Sequence, residues 1–144
     1  MLTPWKEQYF TIFLDDASNF GHTELLVTKN ESFPAYKKVE ASWKLKSGNR
    51  VKNAQFDGAK EFTQRPFAKH LAAWGITVQV TTPYAHSQAS KAERYIRTIE
   101  DGIQTLLADA KLPPSFWGNA ALTYQYLRNR VPTSTLTVQC LMSL

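Results

Sequence analysis

Two carboxylates frame this chain. Asp57 ends the strand-like run Val51-Lys52-Asn53-Ala54-Gln55-Phe56-Asp57, and Glu93 stands in Ser90-Lys91-Ala92-Glu93-Arg94-Tyr95, with thirty-five residues between the two. A strand, a helix and a second strand fit into that interval, as in a parallel crossover. Such a unit would bring Asp57 and Glu93 to one edge of a sheet. Two or three converged carboxylates make a site for a hard divalent metal, and paired metals are the usual apparatus for cutting and joining phosphodiesters.

The chain's 144 residues suit one domain. A hydrophobic share of 43% supports a real core and excludes the composition of disorder. The net charge of +5 suits a polyanionic partner, most often nucleic acid, although a merely basic protein has the same charge. Cys140 is the lone cysteine, which excludes a disulfide framework and a zinc cluster and fits an intracellular setting. No run approaches the roughly 18 apolar residues of a membrane span, so no membrane partner is expected. Met1-Leu2-Thr3-Pro4-Trp5-Lys6 has no apolar signal-peptide core.

Residues 1–8 read as a lead-in. Tyr9-Phe10-Thr11-Ile12-Phe13-Leu14 reads as a buried strand, residues 15–21 as a turn, and residues 22–28 as the second strand of a hairpin. A helix is expected from Asn30-Glu31-Ser32 towards Leu45, with Phe33, Tyr36, Val39 and Trp43 on one face. A strand follows over residues 51–56. Residues 62–74 read as a helix with Phe67, Leu71 and Trp74 on one side, stopped by Gly75. Residues 76–81 read as a strand and residues 82–88 as a loop.

From Ser90 the pattern is helical, with Ala92, Ile96, Ile99, Ile103 and Leu106 recurring at helical spacing. Ser90 and Glu93 also have capping-box spacing. A last helix is expected from Ser115, presenting Phe116, Ala120, Tyr124 and Leu127 and ended by Pro132. The tail, residues 133–144, has no pattern. A helix between two parallel strands predicts an α/β or mixed sheet.

Several blocks then occur in order: Tyr9-Phe10-Thr11-Ile12-Phe13-Leu14-Asp15-Asp16, Asp57-Gly58-Ala59-Lys60-Glu61-Phe62, Gly75-Ile76, Thr82-Pro83-Tyr84, Ala92-Glu93-Arg94, Leu112-Pro113-Pro114-Ser115-Phe116-Trp117-Gly118-Asn119-Ala120 and Asn129-Arg130-Val131-Pro132. The ordered set, over residues 9–132, resembles the catalytic core of a Ty1/copia-type retrotransposon integrase. The resemblance implies a ribonuclease-H-like mixed sheet flanked by helices and a D-D-35-E metal site. Asp57 then matches the second acidic ligand and Glu93 the third, for Mg²⁺ or Mn²⁺. It also implies DNA as partner, a homo-oligomer, and work inside the cell, in the nucleus more than the cytoplasm.

The chain departs from that pattern in places. Gln88-Ala89-Ser90-Lys91-Ala92 lacks the family's Asn-Gly. The family's first catalytic aspartate, on the central strand of the sheet, lies upstream of the Tyr-Phe-Thr run, and only eight residues precede Tyr9 here. The expectation is therefore a truncated core, inactive alone, with the central strand missing. Asp15 and Asp16 belong at the opposite edge of such a sheet and are poor replacements for the lost ligand.

The ordinary roles for the candidate residues are a turn for Asp57 and a helix cap for Glu93. Lys91, Arg94 and Arg97 recur every three residues beside Glu93, facing phosphates or forming a solvated face on which Arg97 pairs with Glu93. His86 falls in the 82–88 loop, which the resemblance places near DNA, and is a candidate phosphate contact. His22 and His70 read as structural or surface groups. Lys37, Lys38, Lys44, Lys46, Arg50 and Lys52 form a second basic cluster, read as solvated. The leading function is a fragment of an integrase catalytic core. The alternative is a non-catalytic nucleic-acid-binding or dimerisation module.

Overall fold

A computed structural model describes residues 3–57, 65–81 and 86–131, with residues 57, 80, 81 and 86–90 described by backbone alone. Gly58 to Phe62, Thr82-Pro83-Tyr84, Pro132, the tail and Cys140 lie outside the described residues. The elements run β1 (Tyr9–Leu14), β2 (Gly21–Leu26), α1 (Ser32–Ser47), β3 (Asn53–Asp57), α2 (Arg65–Ala73), β4 (Thr77–Thr81), α3 (His86–Ala110) and α4 (Trp117–Arg128). Short 3-10 turns, Lys29–Glu31 and Pro114–Phe116, lead into α1 and α4. The chain divides into two compact units, of which the second is Lys29–Glu93 and the first the remainder.

In the first unit, β1 and β2 form the expected antiparallel hairpin, in register from Tyr9 opposite Leu26 to Leu14 opposite Gly21. Its turn is closed by Asp15, whose carboxylate accepts from the Ser18 backbone N–H at 2.9 Å and from the Ser18 hydroxyl. Asp15 is thus engaged as a turn residue, the ordinary use of aspartate there. The core is built from Tyr95, Ile99 and Ile103 of α3 against Ala120 and Ala121 of α4, with Ile12, Leu14, Leu106 and Trp117 packed around them. Phe10 meets Trp117 with ring centroids 6.1 Å apart, so Trp117 is a packing residue, as its helical position suggested.

In the second unit, β3 and β4 are parallel, in register from Asn53 opposite Thr77 to Asp57 opposite Thr81, and α2 makes the crossover between them. The core is aromatic. Phe67 of α2 is 0% exposed and lies 5.0 to 5.2 Å, centroid to centroid, from Phe33, Tyr36 and Phe56. Val39, Leu71 and Ile76 are buried with it. Across α1 and α2, His70 Nε2 lies 2.7 Å from Glu40 Oε2. In the described residues the strands thus form two pairs, one in each unit, with no strand joining them.

Burial pushes the Tyr36 hydroxyl well above the usual phenol range, and the neighbouring Glu40 adds to the shift by its charge and its hydrogen bond. Burial likewise raises Tyr95, partly offset by its hydrogen bond with Gln125 and the charge of Arg128. An unfolded tyrosine ionises near about pH 10. Below that pH both states are neutral and the contribution to stability is intact. Above it only the unfolded state gains charge, so stability falls until the folded tyrosines ionise too. Urea midpoints should be level from pH 8 to 9 and fall from pH 10 to 11. A level midpoint through pH 11 would contradict these burials.

Several expectations are corrected. α3 begins at His86, not Ser90. The chain has no glycine or proline between Ala85 and Asp101, and Ala89 and Gln88 favour helix, so nothing stops the helix from reaching back. Ser90 is therefore no N-cap, and Glu93 lies well inside α3. On α3 the inward face takes Tyr95 in place of Ile96, which is 38% exposed. On α4 the buried residues are Gly118, Ala120, Ala121 and Gln125, whereas Leu127 is exposed. Trp74 is not on the buried side of α2. The helix ends at Ala73, and Trp74 stands in the turn after it, 48% exposed.

Candidate metal and nucleic-acid site

Asp57 is the last residue of β3, where the register pairs it with Thr81 at the end of β4. Glu93 stands on α3, the helix that follows β4. Asp57, at the C-terminal end of a parallel strand, occupies the customary place for ligand-binding residues in parallel sheets. Glu93 is exposed and has no hydrogen-bond or ion-pair partner among the described residues. The i, i+4 pairing with Arg97 is not formed, and neither is the capping box. Both ordinary roles for Glu93 are thus unfilled.

Arg94 and Arg97 are exposed on the same helix, and Lys91 is half-buried. Spacings of three place Lys91, Arg94 and Arg97 along one flank of α3. His86 opens the helix, whereas the sequence put it in a loop. His22 pairs with Glu24 at 2.7 Å, and His70 with Glu40, so both act as structural groups.

Carboxylate oxygens are the right donors for Mg²⁺. Among the described residues, however, no three His, Cys, Asp or Glu side chains stand together as a ligand set. The described donors therefore do not amount to a complete metal site.

What holds α3 in place was not legible in advance. Gln125 Nε2 donates to Tyr95 Oη at 2.7 Å and to Asn129 Oδ1 at 3.1 Å, while its Oε1 accepts from Thr23 Oγ1 at 3.0 Å. Asn129 accepts from Gly21 N at 3.0 Å and donates to Gly21 O at 2.8 Å. All of these residues are buried. The network ties β2 and α4 to Tyr95, two positions after Glu93 on α3. Its signal in the sequence was the Asn129-Arg130-Val131-Pro132 block, which periodicity left unexplained.

The chain is 36% identical, over 132 residues, to a retrovirus-related Pol polyprotein from transposon TNT 1-94 of Nicotiana tabacum. It is 25% identical over the same length to the Pol polyprotein from transposon RE2 of Arabidopsis thaliana. Each match covers 92% of this chain but only 10% and 9% of the relative, so the chain spans about a tenth of the polyproteins it matches. No family model matches. In structure the chain resembles the HTLV-2 integrase catalytic core domain, solved in complex with magnesium in a trimeric form, with a TM-score of 0.64 and 14% identity over 85% of this chain and 74% of that one. It also resembles a chain of the simian T-cell lymphotropic virus intasome in complex with PP2A regulatory subunit B56 gamma. That TM-score is 0.73, with 16% identity over 94% of this chain and 48% of that one. Among the described residues, no helix is long and apolar enough to cross a membrane. The chain is thus similar to a segment of Ty1/copia-type retrotransposon Pol polyproteins, and it has the ribonuclease-H-like fold seen in retroviral integrase catalytic cores.

Proposed function

We propose that this chain is the part of a retrotransposon integrase that carries Asp57 and Glu93, two of the three carboxylates of a metal-dependent DNA-joining site. The observation that carries the reading is the sequence match to a transposon Pol polyprotein over 92% of the chain, joined to an integrase-core fold. Glu93, exposed on α3 and without a partner among the described residues, supports it, because such a carboxylate is available to a cation. Bound Mg²⁺ or Mn²⁺ would supply Lewis-acid activation of an attacking hydroxyl and of the scissile phosphate. The chain's own part is narrower. Asp57 and Glu93 offer oxygen donors, and Lys91, Arg94, Arg97 and His86 hold the DNA backbone beside them. With two carboxylates the site holds Mg²⁺ loosely and depends on substrate phosphates to complete the shell. The chain alone is therefore expected to be inactive. The intact parent works on DNA as a homo-oligomer within the cell, in the nucleus.

A nicking and strand-transfer assay in Mg²⁺ and Mn²⁺ tests this, run beside Asp57→Asn and Glu93→Gln. The expected result is no turnover by the chain alone and, in the parent polyprotein, a loss of at least about 100-fold for either substitution. Activity in the isolated chain that both substitutions abolish would show that two ligands suffice. A parent that keeps its activity with Glu93→Gln would sink the assignment of Glu93.

A further inference from the structure

Trp74 is a large aromatic residue, half exposed, with cations gathered on it. Lys44 Nζ lies 5.8 Å from its ring centroid and Arg50 Cζ 5.0 Å. Two left-handed glycines build the arrangement. Gly48, at φ 71°, ends α1 by donating to Lys44 O at 2.9 Å, and the chain turns back to bring Arg50 beside the helix end. Gly75, at φ 66°, ends the α2 turn by donating to Ala72 O at 3.1 Å and leaves Trp74 at the corner. Thr77 N donates to Lys52 O at 2.9 Å and ties the two turns together. Positive φ is cheap for glycine alone, so both corners depend on those residues.

Lys44, Lys46, Arg50 and Lys52 are all exposed, and no carboxylate pairs with any of them among the described residues. Lys44 and Lys46 sit in the last turn of α1, where they offset the helix dipole. Arg50 and Lys52 lie beyond the helix and have no such role. With its Cζ 5.0 Å from the Trp74 ring, the exposed Arg50 guanidinium is restrained by a cation–π contact. A guanidinium held that way is organised in advance for bidentate bonds to an anion such as a phosphodiester. Lys44, Arg50 and the His70 ring at 6.0 Å all lie beside this ring, which makes the cluster cationic.

We propose that Trp74, Arg50 and Lys44 form a second contact for a nucleic-acid backbone, on elements other than the α3 flank. The choice of DNA as the polyanion rests on the function proposed above.

The test is binding of a fluorescein-labelled DNA duplex by the full 144-residue chain, followed by anisotropy across a salt series. Each phosphate contact contributes about 0.9 to the slope of log K against log salt. Lys44→Gln with Arg50→Gln should lower the slope by about 1.8 and weaken binding roughly tenfold at low salt. Arg50→Lys keeps the charge but loses the planar fork, so it should weaken binding a few-fold with the slope unchanged. Trp74→Leu should behave like Arg50→Lys. All three side chains are exposed or half-exposed, and circular dichroism confirms that the variants are folded.

Unchanged affinity and slope in the double variant would overturn the proposal. If Lys91→Gln with Arg97→Gln then weakens binding, the α3 reading survives without it. Loss in the Lys44 and Arg50 variants alone supports this contact and removes the α3 one. No binding by the unmutated chain overturns both. Displacement of the duplex by polyglutamate as readily as by unlabelled DNA of equal charge makes this a site for an acidic protein and also overturns the proposal.

Discussion

Asn129→Ala is expected to destabilise the chain by about 3 kcal/mol, read as a fall in the urea midpoint with little change in slope. One side chain satisfies both polar groups of the Gly21 peptide positions, N–H at 3.0 Å and C=O at 2.8 Å, and also accepts from Gln125 at 3.1 Å. Alanine leaves a buried donor and a buried acceptor without partners, at a cost of about 1–3 kcal/mol each when no water reaches them. Asn129 is only 6% exposed, which limits that rescue.

Gly21→Ala should be at least as damaging. A Cβ there would collide with the Tyr95 hydroxyl and lie 2.8 Å from Gln125 Nε2. These atoms belong to the same network, so relief at one point breaks another bond. A midpoint unchanged by Asn129→Ala would mean that the network does not close in solution. The consequence reaches the candidate site, because Tyr95 anchors the helix that carries Glu93 and its flanking arginines.

Phe67→Ala is the second large effect, expected at about 3–5 kcal/mol. The ring is fully buried among Phe33, Tyr36 and Phe56, each about one ring contact away, so truncation leaves a cavity walled by rigid aromatics. Rigid walls collapse poorly, which puts the cost at the upper end of the range. Phe67→Leu keeps most of the volume and should cost well under half as much. Phe56 comes directly before Asp57 on β3, so loosening this cluster also loosens the strand end at Asp57. Thermal unfolding of the two variants side by side checks the ranking. Equal losses for alanine and leucine would mean that shape, not cavity volume, sets the cost.

The elements were largely legible because most are local. The aromatic and β-branched run Tyr9 to Leu14 and the turn residues after it require only a hairpin, although the strand is half-buried and not fully buried. The β3–α2–β4 crossover follows from a short strand, an amphipathic helix and a β-branched strand in sequence. The stretch before Glu93 was misread because loop character was assigned to residues 86–88 from their neighbours. With no glycine or proline to break it, the helix extends to His86.

The polar partners were not legible. Helical period marks apolar lines, and on α4 it pointed to Tyr124 and Leu127, yet Gln125 and Asn129 are buried instead. Their partners Thr23 and Gly21 stand more than a hundred positions away. No local pattern encodes such a pairing.

By itself, then, the sequence determined the order of elements, the hairpin, the parallel crossover, and the placing of Asp57 on a strand and Glu93 on a helix. Backbone propensity and side-chain period act over a few residues and suffice for that. Tertiary structure decided which polar groups are buried and paired, that Glu93 has no partner among the described residues, and that Trp74 turns outward under Lys44 and Arg50. Those outcomes depend on which surfaces meet when distant segments pack. The free energy of a buried hydrogen bond or a cation over a ring exists only after they have met.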